Sequence, residues 1–193
     1  MSDNRGFNDD APLMQEGVDD FSAVYDSRVL EFAAVGVEFC LRMEGVDSTT
    51  RSELLDSMCR LLPLLYLKGY CLPMYEWLGE EVAVDGVTEE NYDIVRNNVA
   101  LVMGEWDDYL DVFVEDMRYS DAPVLQTVSE NLADLYQAVK NFALNYRSGY
   151  EPMMMAAIGE CCRGFRNEWG QKLVNVLRAV HEVKLGMDDE EGK

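Results

Sequence analysis

The sequence predicts a single-domain, all-α bundle of about six helices. Hydrophobic residues recur at helical spacing through most of the chain, and no segment shows a credible two-residue alternation of a strand. The 193 residues, 48% of them hydrophobic, are enough for one buried core. We expect the helical domain to span residues 20–185, between a flexible acidic N-terminal tail at 1–19 and an acidic C-terminal tail at 186–193.

The first two predicted helices differ in how clearly they are bounded. The first runs from about Asp20 to Met43 and has apolar residues on more than one side, so we expect it to lie centrally. The second begins at a capping box, in which the Thr50 hydroxyl and the Glu53 carboxylate each accept a main-chain N–H. Pro63 lies inside this helix, and it predicts a kink or break because proline lacks an N–H.

The remaining pattern predicts an irregular connection and four more helices. Residues 69–87 contain several glycines and one proline and are predicted to be irregular. A third helix opens at Thr88 and ends at Gly104, and a fourth covers residues 105–117. The fifth and sixth carry long apolar seams, from Leu125 to Tyr146 and from Ile158 to Val180, which need partners for burial.

The stretch GEWDDYLDVFVEDMRYSD, residues 104–121, raises the main functional question because seven of its eighteen residues are acids. On a helix, its apolar and acidic side chains would separate onto opposite sides, which favours a solvated acidic face. An acidic docking surface formed by Asp108, Asp111 and Glu115 is the alternative. Arg166 is a further interaction candidate, either extending to solvent or pairing with a buried carboxylate.

A metal site is the less favoured interpretation of the same acids. A di-iron site needs histidine ligands, and the chain has one histidine, His181. Paired carboxylates at helical spacing would suit Mg²⁺ in an all-helical nucleotide pyrophosphohydrolase, with candidate ligands Glu90, Asp93, Asp108, Asp111 and Glu115. A hairpin about Gly104 would separate the pairs, so we predict no metal and no cofactor.

Composition narrows the possible partners. A net charge of −21 repels phosphate backbones, so we expect no nucleic acid partner. No apolar run is long enough to cross a membrane. The five cysteines are odd in number and include no C-x-x-C, which is typical of reduced thiols in the cytoplasm. The sequence does not determine the oligomeric state.

Three strings, GEWDDYLDVFVEDMRYSD, LLPLLYLK and WGQKLVNVLRAVHEVK, together resemble an uncharacterised bacterial family of all-helical domains of unknown function. The resemblance covers roughly residues 20–184. It implies a cytoplasmic helical domain and carries no catalytic or binding residues with it. The sequence therefore favours a non-enzymatic protein that acts by binding an unidentified protein partner, and a Mg²⁺-dependent pyrophosphohydrolase-like enzyme is the alternative.

Overall fold

The computed structural model describes residues 21–73, 79–111 and 124–191, and most of these residues are helical. The helices are α1 Ser27–Glu44, α2 Arg51–Cys71, α3 Glu89–Met103, α4 Val128–Tyr146, α5 Glu151–Gly164 and α6 Gly170–Glu191. Two short strands, β1 Asp108–Asp111 and β2 Val124–Thr127, form an antiparallel pair. The all-α prediction is confirmed, with this small sheet added to it.

Helix α4 is the central helix. It packs against α1, α3, α5 and α6, whereas α1 packs mainly against α2 and α4. Phe32 of α1 meets Phe142 of α4 edge-on, with ring centroids 5.0 Å apart, in the middle of the core. The prediction that the first helix lies centrally is wrong, because its second apolar stripe, with Leu30, Val37 and Leu41, remains exposed.

The helix starts follow the predicted caps. The Thr50 hydroxyl accepts from the Glu53 N–H, and the Glu53 side chain accepts from the Thr50 N–H, completing the capping box at the start of α2. At the start of α3, the Thr88 hydroxyl accepts from the Asn91 N–H, and Gly104 ends the helix with a positive φ of 60°. Of the kink or break predicted at Pro63, the break is wrong, since α2 continues as one helix from Arg51 to Cys71, and the kink stays a prediction.

The predicted fourth helix is wrong at residues 108–111, which form β1 instead. Asp108 and Asp111 of β1 pair with Thr127 and Val124 of β2, so distant main-chain groups supply the hydrogen bonds that a helix would have made internally. The prediction that the chain contains no strand is therefore also wrong. Residues 112–117 of that predicted helix lie outside the described residues.

Asp107, immediately before β1, joins the sheet to the start of α4. Its main-chain oxygen accepts from the Val128 N–H at 2.8 Å, and its side chain accepts from the Ser129 N–H at 2.8 Å. Thr127 accepts from the next N–H, that of Glu130. Three successive N–H groups at the start of α4 are therefore satisfied, two of them by an acid that sequence analysis assigned to a solvated face.

The predicted fifth helix corresponds to α4, although Leu125 at its start belongs to β2. The predicted sixth corresponds to α5 and α6 together, joined by a π-helical turn at Phe165–Trp169. Helix α6 continues to Glu191, so the main chain of residues 186–191 is helical. Among the described residues, no helix is long and apolar enough to cross a membrane.

Candidate functional site

A segment without helical structure, residues 81–87, lies along α4 just before α3; we call it the strap. Asn145 of α4 binds its main chain at two points. The Asn145 Oδ1 accepts from the Val84 N–H at 3.1 Å, and the Asn145 Nδ2 donates to the Val84 carbonyl at 2.8 Å. A carboxamide offers one acceptor and two donors, so it complements both main-chain groups of one extended residue.

Asn141, one helical turn earlier, anchors the next part of the strap. Its Oδ1 accepts from the N–H groups of Gly86 and Val87, at 2.9 and 3.0 Å, and its Nδ2 donates to the Asp85 side chain at 3.1 Å. Residues 84 and 86 thus both direct their N–H groups toward α4. Because N–H groups alternate in direction along an extended chain, this pattern identifies residues 84–86 as strand-like, and the bend at Val87 ends the alternation.

Two further contacts hold the strap close to the bundle. A Cβ added to Gly86 would come within 2.6 Å of Leu144 Cδ1, so a larger residue here would require the Leu144 side chain or the strap to shift. At the other end, the Tyr150 hydroxyl donates to Glu81 Oε1 at 2.8 Å. The strap is therefore fixed to α4 and to the residue that precedes α5.

The outward side of the strap is exposed and apolar. Val82 is 76% exposed and Val84 is 61% exposed, and residues two apart on an extended segment lie on the same side. The main-chain N–H and C=O groups of Ala83 and Asp85 make no hydrogen bond with any of the described residues. One edge of the strap is thus held by asparagines, and we call the opposite edge, which has no hydrogen-bond partner among the described residues, the free edge.

A polar cleft of about 470 Å³ separates the strap from the π-helical turn and α6. This volume is in the usual range for ligand sites, roughly 300–1,000 Å³. The strap contributes Ala83, Val84 and Asp85, and the other side chains come from α4, α5, the π-helical turn and α6. They are Asp134, Gln137, Ala138, Asn141, Phe142, Asn145, Ala157, Glu160, Cys161, Gly164, Glu168, Trp169 and Lys172.

The charged groups of the cleft are largely paired. The Tyr92 hydroxyl donates to Asp134 Oδ1 at 2.8 Å, and Lys172 forms an ion pair with the other oxygen of the same carboxylate. Burial, together with this hydrogen bond, raises the pKa of Tyr92, so it stays a neutral donor. Glu160 pairs with Arg163 in a similar way. Asp134 already accepts from two donors and is poorly placed to act as a general base.

Cys161 is the potential nucleophile of the cleft, and its surroundings oppose that role. Burial raises the pKa of its thiol well above the ordinary value. A cysteine reacts as the thiolate, and catalytic cysteines have lowered pKa values next to positive charge. The thiol of Cys161 therefore stays protonated and acts as a small apolar side chain of the core.

The structure describes the side chains of three of the five acids that sequence analysis offered as metal ligands. Glu90 is exposed on α3, and Asp93 forms an ion pair with Arg96 at 2.9 Å. Asp108 is exposed on β1, while the Asp111 side chain and Glu115 lie outside the described residues. No group of three histidine, cysteine or acidic residues that could hold a metal occurs in the described parts of the chain.

Arg166 lies exposed on the π-helical turn, next to a second cavity of about 380 Å³ that Tyr70 and Phe165 also line. It forms no ion pair with a carboxylate of the described residues. Burial raises the pKa of Cys162, and the charge of Arg166 opposes that rise. Neither Arg166 nor Asp108 contributes to the strap or its cleft, and their role in an interaction stays a prediction.

Residues 23–185 match the family model described as Domain of unknown function (DUF5063). The chain belongs to this family. It is also similar to protein BF1032 from Bacteroides fragilis, whose crystal structure is 38% identical in sequence and superimposes with a TM-score of 0.75. The match covers 84% of this chain and 95% of that one. No curated protein matches the chain.

For this member of DUF5063, the residues that define the candidate site are Asn141 and Asn145, which sequence analysis did not single out. One signal was available: two asparagines four residues apart lie on the same side of a helix and can bind the same ligand. Their partners are 54 to 61 residues away in the chain, so no local pattern could connect them.

Proposed function

We propose that this DUF5063 protein acts by binding another protein and that the strap is the point of contact. The observation that carries the proposal is the exposure of Val82 and Val84 on a segment that asparagines hold in place. Paired β-branched side chains on an anchored extended segment offer a partner apolar surface together with main-chain bonding groups.

The anchoring favours binding because it limits the entropy lost on association. A free loop would have to become ordered when a partner docks, at a cost of roughly 1–2 kcal/mol per residue. Asn141 and Asn145 already order the strap, so a partner meets a surface that is close to its bound shape. The exposed valines contribute little to folding, which leaves them available for contact.

The charge of the protein favours a basic partner. The net charge is −21, and the strap itself carries Glu81 and Asp85. Such a field accelerates the approach of positively charged surfaces and repels nucleic acid. The five free cysteines support a cytoplasmic location for this interaction, because unpaired thiols are typical of reducing compartments.

Replacing both exposed valines with threonine tests the proposal. Val82→Thr/Val84→Thr keeps the β-branched shape and removes two methyl contacts, so binding to the partner should weaken by about tenfold while the unfolding midpoint stays the same. The wild-type and variant proteins would be used as bait in the native host, and a protein retained by wild type alone would then be purified. Isothermal calorimetry with that protein measures the change in affinity.

Leu101→Thr is the matched control, because Leu101 is 80% exposed on α3 and lies outside the strap. It should retain the same partner as wild type with equal affinity. If every protein retained by wild type is retained equally by the double valine variant, the strap is not the contact and the proposal is wrong.

The Mg²⁺-dependent enzyme is the second candidate, and thermal unfolding separates it from a binding protein. We expect no change in the unfolding midpoint with millimolar Mg²⁺ or Mn²⁺, because Glu90, Asp93 and Asp108 form no metal-binding group in the described parts of the chain. A native-state metal site would raise the midpoint in a saturable way. Ca²⁺ serves as the control ion, and a rise with Mg²⁺ that Ca²⁺ does not reproduce would favour the enzyme.

A further inference from the structure

We infer that the partner contributes an extended segment that pairs, as an added strand, with the free edge of the strap. This inference rests on the proposed function and specifies how the strap would be bound. The pairing would use the main-chain N–H and C=O groups of Ala83 and Asp85. In the described parts of the chain, these groups have no hydrogen-bond partner.

The direction of the main-chain groups follows from the two asparagines. Val84 and Gly86 direct their N–H groups toward Asn145 and Asn141, so the alternation of an extended chain directs those of Ala83 and Asp85 the opposite way. An extended segment with one satisfied edge and one free edge has the bonding geometry of the outer strand of a sheet. Such edges accept an additional strand from another chain.

The side chains specify what kind of strand fits. Val82 and Val84 lie on one side of the strap, so β-branched residues opposite them in the added strand would make favourable cross-strand contacts. Glu81 and Asp85 flank these valines at the two ends of the pairing region. Basic residues of the added strand opposite Glu81 and Asp85 would attract these two acids. A basic strand also agrees with the negative charge of the whole protein.

Charge disfavours a second copy of the chain as the added strand, because two chains that each carry a net charge of −21 repel each other. An antiparallel pair of two straps centred on Ala83 would place Glu81 of one copy opposite Asp85 of the other, at both ends. Like charges directly opposite each other destabilise a strand pair. Charged residues on an edge commonly oppose such self-pairing, so a basic segment of a different protein fits this edge better than a second copy does.

A synthetic peptide can serve as the probe. The sequence Ser-Lys-Val-Thr-Val-Lys-Ser, capped at both ends, would place its valines opposite Val82 and Val84 and its lysines opposite Glu81 and Asp85. Its central threonine then faces Ala83. A second peptide carries an N-methyl group on that threonine amide, which removes the one N–H donor that should bond to the Ala83 carbonyl.

Titration of the wild-type protein, followed by NMR chemical shifts of the strap amides, should show saturable binding of the first peptide at millimolar concentration. The N-methylated peptide should bind about tenfold more weakly, since a hydrogen bond is removed and the methyl group obstructs the edge. Ala83→Pro should weaken the first peptide to a similar extent, because proline fits an extended segment and lacks only the outward N–H.

Hydrogen exchange shows whether Ala83→Pro leaves the strap in place. The Val84 and Gly86 amides should exchange as slowly as in wild type, since their bonds to Asn145 and Asn141 are on the other edge. If these amides exchange faster in the variant, the comparison of the two peptides on wild-type protein decides the question.

Two results would overturn the inference. One is equal affinity for the two peptides, and the other is no binding of either peptide at millimolar concentration. The proposed function would survive both if Val82→Thr/Val84→Thr still loses the natural partner, because the valines would then bind through side chains alone. If Val82→Thr/Val84→Thr also binds the natural partner as tightly as wild type does, the strap is not a contact surface.

Discussion

Trp169→Ala is expected to lower the free energy of unfolding by about 3–5 kcal/mol, as truncation of a buried aromatic side chain does. Trp169 is 4% exposed and lies at the junction of the π-helical turn and α6. Its ring meets Phe165 edge-on at 4.7 Å and lies 6.2 Å from Phe32 of α1. Removing the indole would leave a cavity between three elements, and urea denaturation measures the loss.

Trp106→Ala is the matched control, since Trp106 is 40% exposed in the turn that follows α3. Its truncation should cost less than about 1 kcal/mol, because much of the ring already contacts water. A loss below about 1 kcal/mol at Trp169 as well would place that ring on the surface and contradict the packing of α6 described above.

Sequence patterns predicted correctly those helices whose signals are local. The capping box at Thr50 and Glu53, the Thr88 cap and the Gly104 stop each depend on residues within one turn of the helix end. The apolar seams of α4 and α6 are equally local, because side chains three and four apart lie on one side of a helix. No distant residue is needed to recognise these elements in the sequence.

The predicted helix at residues 105–117 failed at β1 because its pattern fits both kinds of structure. Tyr109 and Leu110 between Asp108 and Asp111 are compatible with a helix, yet they form a strand once a pairing partner is present. The Tyr109 hydroxyl also accepts from the buried Asn131 side chain at 2.9 Å. Both contacts join residues of β1 to residues that lie more than a dozen positions later, beyond any local periodicity.

The strap could not be predicted from the sequence either, because it too depends on contacts between distant residues. Its residues show no helical periodicity, and sequence analysis assigned residues 69–87 to an irregular connection. What makes it a candidate site is the combination of exposed valines with main-chain bonds to α4, and both features depend on the tertiary fold. Segments of this kind are found only after the elements around them have been placed.

The spacing of the apolar residues also gave no indication of the π-helical turn. Ile158, Cys162, Phe165, Trp169 and Leu173 follow one another at intervals of three and four, which an uninterrupted α-helix would satisfy. A main-chain hydrogen bond of Gly170 identifies the turn. The Gly170 N–H bonds to the Phe165 carbonyl five residues earlier, in the hydrogen-bond pattern of a π-helix.

Gly170→Ala should therefore be strongly destabilising, although alanine is the better helix former. A Cβ at this position would lie 2.2 Å from the Phe165 carbonyl oxygen and 3.2 Å from its carbon, and main-chain atoms cannot move aside as a flexible side chain can. We expect a loss of about 2–3 kcal/mol in the free energy of unfolding, measured by urea denaturation, because the added methyl group forces the backbone to shift.

Gly186→Ala on the same helix is the control, since no atom lies within 4 Å of its added Cβ. That change should raise stability by up to about 1 kcal/mol through helix propensity alone. A loss of stability for Gly170→Ala together with a gain for Gly186→Ala would show that the π-helical turn causes the requirement for glycine at position 170. Helix propensity alone would give both changes the same sign. If both variants gain stability, Phe165–Trp169 can adopt an ordinary α-helical turn, and the positions of Glu168 and Lys172 in the cleft would have to be reassigned.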